Sequence, residues 1–164
     1  MIYMARDTAL LDINTKKGQE SLRHEREMLE RIESAMKVKL VETDKDRDAK
    51  CDGVIIHNDK IGGVFESKCR NLNYMELLKH GSWLITLQKI LDGQTISKML
   101  RVPFLGFLYL IPDQMIFYWK ITDNMGDFSF GFDVRRTSTQ RTINGGRALR
   151  TNAYLPMDRS TEII

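Results

Sequence analysis

Three residues have types and spacing that could do chemistry together: Asp52, in "CDGVIIH", and Glu66 and Lys68, in "GGVFESKCR". A strand alternates its faces, so Glu66 and Lys68, two positions apart, point the same way. An antiparallel hairpin turning near 58–60 brings Asp52 opposite 66–68, so two carboxylates and an ammonium converge at one end of it. Isolated carboxylates are costly to take out of water, and a hard divalent cation with oxygen ligands relieves that cost. A lysine beside such a site can orient a water or offset charge building on a phosphate. A lone Glu-x-Lys on a strand also reads as surface decoration, so the elements around it must decide.

Those elements can be read from periodicity. "KKGQESLRHEREMLERIESAMK", 16–37, carries Leu22, Leu29, Ile32 and Met36 at helical spacing. A short strand follows at 38–42, then a charged loop at 43–50. Strands at 51–57 and 61–70 flank a tight turn at Asn58–Asp59. The stretch 73–101 reads as mostly helical, with a break at Gly81 or Gly93, and 104–111 and 115–121 read as apolar strands. Beyond that the spacing supports one strand, at 128–134, and otherwise irregular chain. The order is helix, strand, strand, strand, helix, strand, strand. It predicts an α/β fold with a mixed central sheet flanked by helices.

Composition sets the outer limits. The chain has 164 residues, 42% of them hydrophobic and 29% charged, which suits one domain with its own core. Its parts are a 1–15 N-terminal extension, a 16–121 core and a 122–164 arginine-rich extension. No apolar run is long enough for a membrane span, and "MIYMARDTALLDINTKK" lacks the apolar stretch of a signal peptide. Two cysteines fit a reducing cytoplasm rather than a disulfide scaffold. The net charge of +3 permits a polyanionic partner without demanding one. The excess is uneven, because Val134–Met157 holds Arg135, Arg136, Arg141, Arg147 and Arg150 and no acid. That segment supports phosphate contact through guanidinium forks and a solvated tail equally well.

Asp52, the spacer "GVIIHNDKIGGVF" and Glu66-Ser67-Lys68 together resemble the PD-(D/E)xK nuclease superfamily, although Cys51 stands where its proline often does. The layout is similar to that of archaeal-type Holliday junction resolvases, with a Lys-Gly start and a helical acid before an apolar face. The resemblance is specific over about 16–70 and topological to about 121. It implies a restriction-endonuclease-like core of helix–strand–strand–strand–helix–strand. It also implies metal-dependent hydrolysis of phosphodiester bonds in DNA, structure-specific for junctions or flaps. Mg²⁺, replaceable by Mn²⁺, would be held by Asp52, Glu66 and the Ser67 backbone carbonyl, with Lys68 catalytic. Glu25 is the helical acid of choice and Glu20 the second. A homodimer would suit a four-way junction, cut at two related positions. Recombination is the expected setting, and a phage or mobile element, acting in a host cytoplasm, the expected origin.

Other groups have competing readings. Arg70, Lys79 and the five arginines of the C-terminal segment are the candidate DNA contacts. A non-catalytic nucleic-acid-binding module using Arg135–Arg150 is the alternative function. Cys51, His57, Cys69 and His80 lack zinc-site spacing, and buried thiols account for the two cysteines better. Gln88 fails as a helical functional glutamine, because Asp92 stands where the related pattern has tyrosine.

Overall fold

A computed structural model describes residues 15–44, 49–141 and 147–163, with backbone alone at 139–141 and 147–148. Residues 1–14 of the expected N-terminal extension, 45–48 of the charged loop, and 142–146 lie outside the described residues. The elements are α1 (Lys16–Met36), β1 (Lys39–Glu42), β2 (Gly53–His57), β3 (Lys60–Arg70), α2 (Tyr74–His80), β4 (Ser82–Thr86), α3 (Leu87–Leu100), β5 (Phe104–Leu110), β6 (Met115–Thr122), β7 (Asp133–Arg141), β8 (Arg147–Pro156), a 3₁₀ turn (Met157–Arg159) and β9 (Thr161–Glu162).

The central sheet runs β1-β2-β3-β5-β6-β9. Only β3 and β5 pair in parallel, so the sheet is mixed, as expected. β5 is buried at every position, which is what a continuous apolar run such as "FLGFLYL" becomes when both faces of a sheet are covered. On one face α1 lays Met28, Leu29 and Ile32 against Ile55, Phe65, Phe107 and Tyr109. On the other, Val64, Leu108, Trp119 and Ile121 meet Leu77 of α2, Ile90 of α3, and Trp83, Ile85, Ala153 and Leu155.

Those last four residues belong to a second sheet, β4-β8-β7, which the sequence did not predict. Two expectations are corrected here. The stretch 73–101 is α2, then β4, then α3. Gly81 takes a left-handed conformation (φ 73°) that caps α2, as one of the two expected breaks. Gly93 breaks nothing. It sits buried inside α3, where a Cβ would stand 2.1 Å from the Phe104 ring, so it is kept small by the close approach of helix and sheet. The segment after 132 is a long β-hairpin rather than irregular chain, and its strand begins at Asp133, while Phe128 makes an isolated bridge to Thr122. β7 buries no side chain among its described ones, so no apolar alternation marks it.

Local chemistry fixes the frame around the hairpin β2–β3. The Thr15 hydroxyl caps α1 by accepting from the Gly18 N–H at 3.0 Å. Glu33 of α1 accepts from the Leu40 N–H at 2.9 Å, which ties helix to edge strand. Gly53 leaves room for the Phe65 ring, 2.6 Å from where its Cβ would be, and so lets β2 close on β3 just after Asp52.

Candidate functional site

Asp52 ends the loop entering β2, and its backbone N–H donates to the Phe65 carbonyl at 3.0 Å. Gly53 pairs with Phe65, so Asp52 lies beside Glu66 and Ser67, the placement expected from the turn. The Ser67 N–H donates to Asp52 Oδ2 at 2.8 Å, which fixes the carboxylate against β3. Thr43 secures the same corner from below, its hydroxyl donating to the Cys51 carbonyl at 2.7 Å.

Glu66 is fully buried, and neither carboxylate oxygen has a hydrogen-bond partner. Lys89 Nζ lies 3.6 Å from its Oε1 and Lys68 Nζ 3.9 Å, both outside hydrogen-bond length. Burial first, and then the charge of Asp52, push the Glu66 carboxyl up from 4.5 to about 7, against the pull of Lys89 and Lys68. A buried carboxylate with no hydrogen bond, held only by longer ion pairs to two half-exposed ammonium groups, is an expensive arrangement for a purely structural residue.

Asp52, Ser67, Lys68, Lys89 and Glu25 line a polar cavity of about 390 Å³; Glu66 is not among its lining residues and lies behind Asp52 and the two lysines. Glu25, on α1, is half-buried. Glu20, the second choice for the helical acid, is exposed and pairs at long range with Arg23 and His24 instead. The oxygens of Asp52 and Glu66 are hard donors, and the Glu66 oxygens, which accept no hydrogen bond, are what a cation would satisfy, so the residues present fit Mg²⁺ or Mn²⁺. Among the described residues no three His, Cys, Asp or Glu side chains form a ready-made metal cluster. A cation here would need the backbone carbonyl and solvent beside the two carboxylates.

Lys89 is the residue that sequence reading missed. It sits on α3, next to Gln88, and also donates to the Ala49 carbonyl at 3.4 Å. Gln88 itself is exposed and donates to Asp92 Oδ1 at 2.9 Å, away from the cavity. No spacing in the sequence pointed to Lys89, which reaches Glu66 only because α3 packs on β3.

The remaining candidates scatter. Arg70 closes β3 and lines the cavity. Lys79 is exposed on α2, and Arg135 and Arg136 are exposed on β7. Arg150 is half-buried on β8, beside Leu87 and Gln88. The side chains of Arg141 and Arg147 lie outside the described residues, though the two positions pair across the hairpin. Cys51 is buried and its thiol is pushed up by that burial, and burial pushes the Cys69 thiol up to about 12, so neither is a ready thiolate. No helix among the described residues is long and apolar enough to cross a membrane. Comparison with family models, with curated proteins and with solved structures returns no match for this chain.

Proposed function

We propose that this chain is a metal-dependent nuclease that hydrolyses phosphodiester bonds in DNA, on a restriction-endonuclease-like core of the PD-(D/E)xK type. The observation that carries the reading is Glu66: buried, without a hydrogen bond, beside Asp52 and within ion-pair distance of Lys68 and Lys89, which with Asp52 line a polar cavity. Asp52, Glu66 and the Ser67 carbonyl would hold Mg²⁺ or Mn²⁺, which when bound supplies Lewis-acid withdrawal of charge from a scissile phosphate.

The chain's own groups do the rest. The Ser67 N–H orients Asp52, so its carboxylate needs no rearrangement to act. Lys68 reaches the cavity from the strand that carries Glu66 and is placed to orient the attacking water and to stabilise charge growing on the phosphorus substituents. Lys89, from α3 and near the same Glu66 oxygen as Lys68, adds a second positive group for a phosphate oxygen. Glu25 faces the same space and can accept a proton or hold water. Arg70 at the rim suits the neighbouring phosphate.

The test is cleavage of labelled linear, nicked, flapped and four-way-junction DNA with Mg²⁺, Mn²⁺ or EDTA. Metal-dependent cutting, with paired symmetric cuts if a dimer acts on the junction, supports the reading. Saturable binding with no cutting in either metal would leave the alternative, a binding module using the exposed Arg135 and Arg136 of the hairpin.

A further inference from the structure

A second cavity, of about 420 Å³, opens between α2, β4 and the β7–β8 hairpin. It differs in kind from the polar cavity lined by Asp52, Lys68 and Lys89. Leu72, Leu77 and Leu84 give it an apolar lining, while Arg70 and Arg135 supply positive charge, and no acid is among its described lining residues. The Arg135 guanidinium stacks over the Tyr154 ring at 4.5 Å and pairs with the exposed Asp133 at 3.2 Å. Trp83 is also in the wall, and its indole N–H, buried, has no hydrogen-bond partner. Arg70 lines both cavities, so they share a wall.

An occupant must therefore be anionic and carry a flat or apolar body of modest size. Inorganic phosphate would leave the leucine lining unused, and a duplex cannot insert its stacked bases into a pocket. One unpaired nucleotide uses both halves: its base lies on the leucines beside Tyr154, and its phosphate meets Arg70 and Arg135. Resting on the nuclease reading for the neighbouring cavity, we propose that this pocket seats an unpaired nucleotide of the substrate. The preferred DNA then carries a single-stranded segment next to the phosphate to be cut.

The experiment is fluorescence anisotropy of the full chain in EDTA, where nothing is cut, with a blunt duplex and with the same duplex bearing a short single-stranded tail. The wild type is expected to bind the tailed DNA roughly tenfold more tightly at equal salt, the gain of seating about one base. Arg135→Ala should remove most of that preference. Arg136→Ala carries the same charge loss on the opposite face of β7, and should weaken both ligands alike while keeping the preference. A nucleoside monophosphate should compete the tail preference away, and equimolar inorganic phosphate should not. Equal wild-type affinity for the two DNAs, or identical effects of the two substitutions, would overturn the pocket. Because the readout is binding without metal, that failure is separate from a failure to cleave, which would instead remove the nuclease reading.

Discussion

Glu66 is the residue on which the account turns, and its charge state has a consequence that can be measured. Its carboxyl sits at about 7 in the folded chain, raised from 4.5. A raised acid binds its proton more tightly when folded, so the stabilisation is complete below pH 4.5 and is lost as pH climbs through about 7. The size is on the order of 3 kcal/mol. Glu66→Gln should flatten this part of the stability profile, and at pH 8 without divalent metal it should be more stable than wild type in urea unfolding. Mg²⁺ or Mn²⁺ should raise the wild-type midpoint and leave that of Glu66→Gln in place. A variant less stable than wild type at pH 8 would contradict the picture of a buried charge that its two lysines only partly offset. At this scale Asp52, Glu66 and Lys68 were legible because two of them share a strand face and the third is one hairpin turn away. Lys89 was not, because it comes from a helix after an intervening strand, and no spacing rule spans that distance.

The elements were legible where burial imposed a period and illegible where it did not. α1, the β2–β3 hairpin and the apolar strands β5 and β6 each carry a clean pattern, and their order fixed the mixed sheet in advance. β4 was read as helix because its apolar "WLI" runs without a turn signal into Leu87, Ile90 and Leu91 of α3; its two-residue alternation, Trp83 and Ile85 inward, is blurred by Leu84 and Leu87. Its identity as a strand depends on pairing with β8, far along the chain. The contact of α3 with the sheet makes a prediction here. Gly93→Ala gains up to about 1 kcal/mol in helix propensity, but its methyl must enter space held by the buried Phe104 ring. Overpacking of this kind costs about 1–3 kcal/mol, so thermal unfolding should show a lowered midpoint. A raised midpoint would mean that α3 stands further from β5 than described.

On the scale of the whole molecule, the arginine-rich segment beyond 121 is a structural partner of the core. β8 is the strand that pairs with β4, and Ala153 and Leu155 are fully buried against the same apolar cluster as Trp83 and Trp119. Truncation after Asp133 should therefore leave a chain without cooperative thermal unfolding, read by near-ultraviolet circular dichroism. A truncated chain that melts cooperatively would show that the 16–121 core stands alone. This layer was hidden in the sequence because Arg135, Arg136 and Ser138 of the hairpin face solvent, and exposed strands carry the same composition as loops. The same hairpin brings Arg135 and Tyr154 to a cavity that shares Arg70 with the carboxylate site, so on the proposed reading the second sheet would bear on substrate choice as well as on fold.

The central claim is that Asp52, Glu66 and Lys68 act as one metal-dependent hydrolytic set. Its most direct test is single-turnover cleavage of end-labelled DNA by wild type and Lys68→Ala, with protein in excess, in Mg²⁺ and in EDTA, and with binding measured in parallel. The account predicts metal-dependent product from the wild type, a loss of at least about a hundredfold in the variant, and binding within a few-fold of wild type. Cleavage by Lys68→Ala at the wild-type rate, or no cleavage by a wild type that saturates the DNA, would contradict it.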